Sequence, residues 1–284
     1  MEPLSLEFRP GAIEPLLALA DDFLKRSARA YELLSEERDS VPSGFRTLRK
    51  IREIDQCFYS NLIEGITLSR KEIAFSADPD SEKSLAGAHL AASRWADKDN
   101  LRPMGICQFL RNCHEVFVSG LPDDLRFLNQ QGKGLGFRFI KPGRWREMDV
   151  QVGHHVPPRA QDVQRFMDRF EEVYSPFLAR PMTGKDQLMA IVHGFIAHHR
   201  LVWIHPFSDF NGRISRIFLD KWLAVCRLPA IDLRTISGLL GRDGGVKYLA
   251  MLHNADRPRQ GALDGRGNLT EKGLVDFVRF CLEP

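Results

Sequence analysis

The stretch IHPFSDFNGRISR, residues 204–216, places an imidazole, a carboxylate, an amide, a glycine and two guanidiniums at the joint between two apolar runs. Before it, DQLMAIVHGFIAHHRLVWI carries Leu188, Val192, Phe195 and His199 at spacings of three and four; after it, Ile214, Ile217, Phe218, Trp222 and Val225 continue the pattern. Each flank therefore reads as a helix with one buried face. The backbone N–H groups of Asn211 and Gly212 fall at the N-terminus of the second helix, near Arg213, where unused donors and the positive dipole end favour an anion. The joint reads as a phosphate seat. Arg213 and Arg216 share one face of that helix, so their guanidiniums can hold successive phosphates, as in a triphosphate. Asp209 offers a hard carboxylate oxygen suited to Mg²⁺ shared with those phosphates. His205 is the group in the loop able to take a proton near neutral pH, hence the candidate general base. Singly, a histidine before proline reads as a turn residue, an aspartate as a local cap and the arginines as solvated. Their combination in one short loop argues against that plainer account.

Outward from the loop the chain reads as helix after helix. Ile13, Leu16, Leu17 and Phe23, and then Phe45, Leu48, Ile51, Ile54 and Phe58, predict two amphipathic helices, the second closed at Gly65 with Glu64 in its last turn. Further helices are expected from Leu85 to Trp95, from Met104 to Phe117, through Val163, Phe166, Met167, Phe170 and Val173, and over LTEKGLVDFVRFCLE with Thr270 as N-cap. The texture changes in NQQGKGLGFRFIKPGRWREMDVQVGHHVPPR, where EMDVQV alternates polar and apolar residues. A short β-hairpin is expected there, with Val150 and Val152 on one face of an edge strand that could pair with an extended segment of another protein. With no repeat or long linker, the expectation is one compact, mostly α domain.

A length of 284 residues with 43% hydrophobic and 27% charged content fits a soluble globular chain. The net charge of +3, with basic residues interleaved among acids, gives no nucleic-acid surface. Cys57, Cys107, Cys113, Cys226 and Cys281 lack any CxxC spacing and read as reduced core thiols. The N-terminus lacks the basic-then-apolar order of a signal peptide, and no run of about 18 apolar residues occurs, so the expected location is cytoplasmic. The pairs His154–His155 and His198–His199 lack zinc-ligand spacing and read as core or surface histidines. GKGLG at 132–136 and GRDGG at 241–245 lack the lysine–serine/threonine ending of a P-loop and read as plain loops.

HPFSDFNGRISR resembles the active-site motif of the Fic family, HPFx(D/E)GNGRxxR. The likeness extends to AHHRLVWIHPF as the motif helix, GRWREMDVQVGHHVPP as a flap and DGRGNLTEKGLVDF as the closing helices, over roughly residues 45–282. The resemblance implies a mostly α, Fic-type helical bundle with a small β-hairpin flap beside the active-site loop. A helical region over 1–43 would pack on a Fic domain over 44–284, whose first helix, about 44–65, is inhibitory. The implied reaction moves AMP from ATP to a Tyr, Thr or Ser hydroxyl of a target protein, with Mg²⁺ as cofactor and pyrophosphate leaving. In that scheme His205 deprotonates the hydroxyl and Asp209 binds Mg²⁺. Phe210, Asn211, Gly212, Arg213, Arg216 and Tyr248 contact ATP, Arg216 at the γ-phosphate, and the flap with Val150 and Val152 takes the target. Self-modification and a homodimer are compatible with the scheme; a membrane or nucleic-acid partner is not part of it. SNLIEG, residues 60–65, resembles the family's inhibitory pattern S/T-x-x-x-E-G/N. It implies that Glu64 pairs with Arg216 in place of the γ-phosphate, while Ser60, one turn earlier, steadies the helix.

The chain departs from the family at Phe210, where glycine is usual. Phe210 keeps its N–H, so the anion seat survives; a positive φ there would cost about 1–2 kcal/mol. The ring is expected near the nucleotide, altering its affinity. Two alternatives stand beside AMP transfer. The pocket can remove AMP or transfer another phosphate-linked group, or the protein can be a non-catalytic regulatory or toxin–antitoxin-like module whose pocket Phe210 has closed.

Overall fold

The computed structural model describes residues 11, 13–39, 44–78, 82–98, 101–129, 137–231, 235–257 and 269–283. They form α1 (Glu14–Asp39), α2 (Gly44–Ile63), α3 (Arg70–Ser76), α4 (Leu85–Lys98), α5 (Leu101–Met104), α6 (Ile106–Ser119), β1 (Phe127–Asn129), β2 (Phe137–Phe139), α7 (Val163–Ala179), α8 (Gly184–Ile204), α9 (Asn211–Val225), α10 (Ile236–Leu240), α11 (Val246–Asp256) and α12 (Glu271–Leu282). The loop read at 132–136 and the residues 264–268 of the expected closing segment lie outside the described residues.

Helix α8 is the axis of the bundle. Its run from Ala190 to Leu201 is buried without a break, and α1, α7, α9 and α12 pack around it. Helices on all sides leave α8 no face to give to water, and its polar members His193, His198, His199 and Arg200 are buried with the apolar ones. Gly194 lets α9 come close: a Cβ there would lie 2.5 Å from Cδ1 of Trp222, whose indole N–H donates to the Ala190 carbonyl at 2.8 Å. That contact fixes the spacing of the two helices between which the 205–210 loop is strung. The expected face of α1 holds: Leu16, Leu17 and Phe23 are buried, Phe23 edge-on to Phe195 at 6.0 Å between centroids. Thr270 caps α12 as expected, its hydroxyl accepting from the Gly273 N–H.

Helix α2 runs over the expected residues but buries a different face. Ile51 is 49% exposed and Ile54 and Phe58 are only half-buried, while Arg52, Gln56, Cys57, Ser60 and Asn61 are buried; the Phe45 side chain lies outside the described residues. The reason is α9. That helix turns Arg213, Arg216 and Asp220 toward α2, and buried charges need hydrogen-bonding partners more than they need apolar cover. Gln56 donates to Asp220 at 2.6 Å, and Ser93 of α4 donates to Gln56. The helix closes as expected at Gly65, which takes φ 76. Its N–H donates to the Leu62 carbonyl and that of Ile66 to the Asn61 carbonyl, both at 2.9 Å, the paired bonds of a left-handed glycine cap.

The expected hairpin over EMDVQV is not seen. Among the described residues the paired strands are β1 and β2, antiparallel with Phe127 opposite Phe139, upstream of the expected position. The segment from 144 to 158 is irregular, with a single bridge between Val152 and His155. Alternation alone cannot build a ladder here, because the backbone is held instead by Arg146, described below. The five cysteines are free thiols, and among the described residues no helix is long and apolar enough to cross a membrane.

Candidate active site

The loop begins with a backbone reversal. His205 ends α8 in the left-handed conformation, φ 51 and ψ 60, and its N–H still donates to the Leu201 carbonyl at 3.0 Å. The imidazole Nδ1 lies 3.3 Å from the Val202 carbonyl, which can only accept, so Nδ1 carries the proton and Nε2 keeps its lone pair. Burial pushes the imidazole down to about 4, offset in part by that same bond. His205 is therefore a neutral base at physiological pH, with the basic nitrogen set by its neighbour.

Asn211 closes the loop. Its side-chain amide donates to the Phe207 carbonyl and accepts from the Phe207 N–H, both at 2.8 Å. Phe207 in turn lies flat on His114 at 4.0 Å and against Trp145 at 4.9 Å, so the loop rests on α6 and on the segment after β2. One oxygen of Asp209 accepts from the Phe210 N–H at 2.6 Å, and burial raises the Asp209 carboxyl. A half-buried carboxylate held so is a donor set that Mg²⁺ fits, since a cation beside it would offset the cost of its burial.

Phe210 takes φ 62 and ψ 11 at the start of α9, the left-handed position at which the family's glycine is free of strain. Its ring turns inward. It is buried in the core, 4.8 Å from the Phe117 ring and beneath the Arg213 guanidinium at 5.3 Å. Removing a buried phenyl costs about 3–5 kcal/mol, against about 1–2 kcal/mol gained by relieving the left-handed backbone. Phe210→Gly should therefore lower stability by about 2 kcal/mol in urea denaturation with little change in ATP affinity. A stabilised variant would show that the ring contributes less to the core than its burial indicates.

Across the loop stands the end of α2. Arg216 is 1% exposed. Its Nε donates to the Ser60 hydroxyl at 2.9 Å, and its Nη2 donates to the Ser60 carbonyl at 2.9 Å and to Glu64 Oε1 at 2.6 Å. Burial works to raise the Glu64 carboxyl, but Arg216 and then Arg213 outweigh it and hold Glu64 below the ordinary carboxylate range. The Glu64 side chain keeps 31% of its surface open, so water weakens this pair relative to a sealed one. Gly212 permits the approach, because a Cβ at 212 would collide with the Glu64 carboxylate. Arg213 Nε donates to Asn61 Oδ1 at 2.9 Å, a contact that the sequence reading missed although Asn61 follows Ser60 directly.

The site thus brings together His205, Asp209, Asn211, Gly212, Arg213, Arg216, Ser60 and Glu64. Tyr248, expected at ATP, is 1% exposed, its hydroxyl 2.8 Å from His198 Nε2 and beside Arg216. It is packed against the guanidinium and closed to solvent. Val152 is 42% exposed and Val150 half-buried on the irregular flap. His198 and His199 are core residues and His154 is exposed, as read from the sequence; among the described residues no group of three metal-ligating side chains occurs.

Residues 110–223 match the Fic/DOC family. Among curated proteins, a protein adenylyltransferase Fic from Culex quinquefasciatus is 35% identical over 219 residues, covering 72% of this chain and 40% of the relative. A protein of the same name from Nematostella vectensis is 24% identical over 213 residues, covering 71% of this chain and 46% of the relative. The chain spans less than half the length of these relatives. A solved Fic family protein from Desulfovibrio desulfuricans G20 superposes with a TM-score of 0.63 at 19% identity, covering 99% of this chain and 74% of that one. A Fic-1 structure from C. elegans superposes at 0.54 and 16% identity, over 94% of this chain and 70% of that one. The left-handed His205, the amide clasp of Asn211 and the paired arginines of α9 lie within the matched segment, and the chain belongs to the Fic family.

Proposed function

We propose that the protein transfers AMP from ATP to a hydroxyl side chain of a target protein, its own hydroxyls included, and that Glu64 holds this activity in check. The observation that carries the proposal is the joint placement of a neutral His205, a loop clasped at the head of α9, and two buried arginines on one helix face. The names of the curated relatives support the reaction class. In the mechanism, His205 Nε2 takes the proton of the target hydroxyl while its oxygen attacks the α-phosphorus. The bond from that phosphorus to the bridging oxygen breaks, and pyrophosphate leaves. The N-terminus of α9 with Arg213 carries the charge developing on the phosphates, and Arg216 holds the γ-phosphate once Glu64 is displaced. Asp209 would hold Mg²⁺, which neutralises phosphate charge when bound. The flap would present the target, and Tyr248 would steady Arg216 from behind without touching ATP.

Burial of the Phe210 ring against Phe117 favours an open pocket over a non-catalytic one closed by that ring. AMP removal uses the same groups, and mass analysis of the product separates the two directions. The test is to incubate the Glu64→Gly protein with labelled ATP and a lysate; no labelled protein, its own chain included, would sink the proposal. A pH profile tests the base. The neutral imidazole is the active form and persists down to about 4, well below the ordinary 6.5. The kcat/KM of the Glu64→Gly protein should stay level on the acid side down to about pH 5, as the quantity follows ionisation of the free enzyme. An acid limb centred near the ordinary histidine value would show that His205 is not desolvated.

A further inference from the structure

We propose that Arg146 is the positioning residue that ties the flap to the catalytic base, an inference that rests on the base role given to His205. Arg146 is buried, 4% exposed, and its side chain meets main-chain carbonyls from two separate segments. From the corner, its Nε donates to the His205 carbonyl at 2.8 Å, Nη2 reaches the Ile204 carbonyl at 3.5 Å, and its own N–H donates to the Pro206 carbonyl at 2.8 Å. From the flap, Nη1 donates to the Met148 carbonyl at 2.9 Å and Nη2 to the Pro158 carbonyl. Met148 and Pro158 are the two stems of the flap that carries Val150 and Val152. One planar fork thus binds both stems to the residue that takes the proton.

A buried guanidinium is costly, and one met by carbonyl dipoles is held for what those bonds specify. Here they specify a non-glycine residue in the left-handed region, a conformation that persists where the surroundings over-determine it. A second bond carries the same tie, with His155 Nε2 2.8 Å from the Trp203 carbonyl, while Asp149, accepting from the Ala160 N–H at 2.7 Å, closes the base of the flap. A displacement of the flap by a docking target is then passed through Arg146 to the His205 main chain, and so to the direction of its imidazole. A lysine keeps the charge but donates from a single point and cannot span the two segments.

The test compares Arg146→Lys with its parent, both in the Glu64→Gly background. Transfer should fall on the order of 10- to 100-fold in kcat, as small misplacements of a reacting group do, with ATP affinity unchanged. Nitrogen-15 spectra of His205 should show one tautomer, protonated at Nδ1, in the parent and a mixture in Arg146→Lys. A variant with parental kcat and a single tautomer would overturn the proposal. Should the Glu64→Gly parent transfer no AMP, the functional reading fails, while the tautomer comparison still decides the role of Arg146. Should Arg146→Lys not fold, the intact protein answers by exchange: the Nε–H of Arg146, sealed against the His205 carbonyl, should exchange slowly, and a rate like that of surface arginines overturns the assignment.

Discussion

Replacement of His205 by alanine should remove on the order of 10²–10⁴-fold of the AMP-transfer rate, with fold and ATP affinity retained. The size follows from what the imidazole does and what it leaves alone. In the proposed mechanism the phosphates would be met by the head of α9, Arg213 and Arg216, whose hydrogen bonds go to α2 and not to the His205 side chain. Among the described residues its ring makes its hydrogen bond to the Val202 carbonyl at the end of its own helix, so truncation opens no network there. The left-handed backbone at 205 is no harder for alanine, and Arg146 still grips the carbonyl. Single-turnover transfer with labelled ATP, alongside calorimetric titration of ATP, separates the two quantities. Undiminished transfer would remove His205 from the mechanism; loss of ATP binding would mean that the corner, not the proton, had been lost.

The second large effect belongs to Glu64. Its carboxylate sits on Arg216 at 2.6 Å, the guanidinium that a γ-phosphate would need. A hydrogen bond to a charged group contributes about 1.5–3 kcal/mol, so freeing Arg216 should raise transfer by on the order of ten- to a hundredfold. The open side of Glu64 places the expectation toward the lower end. Stability should change little once ATP is present, because the two Ser60 contacts remain and the phosphate takes over the third. Glu64→Gly combined with Arg216→Ala should lose the gain. A parent already as active as Glu64→Gly would mean that the pair does not restrain the enzyme.

Much of the site was legible because its chemistry is local. The left-handed turn, the helix start and the two arginines of α9 lie within one continuous stretch, and the spacing of helical residues decides which of them share a face. Gly65 was readable for the same reason, since the bonds that close α2 reach back only to Leu62 and Asn61. The face that α2 buries was not. Its apolar residues pointed one way, yet the partners that decide the matter, Arg213, Arg216 and Asp220, come from a helix far along the chain.

The amino-acid order was enough to show that helices dominate, that an amphipathic helix stands on each side of the loop, and that a proton acceptor, a hard carboxylate and two guanidiniums gather at one helix head. Periodicity and local bonding settle such things within a few turns of chain. Only the packing of distant segments decided that the Phe210 ring turns into the core, that Tyr248 is buried beside Arg216, that the flap is irregular, and that Arg146 is bound to the 204–206 corner. Each of these depends on which distant groups are buried together: a phenyl ring goes where Phe117 leaves room for it, and a guanidinium without water goes where carbonyls converge.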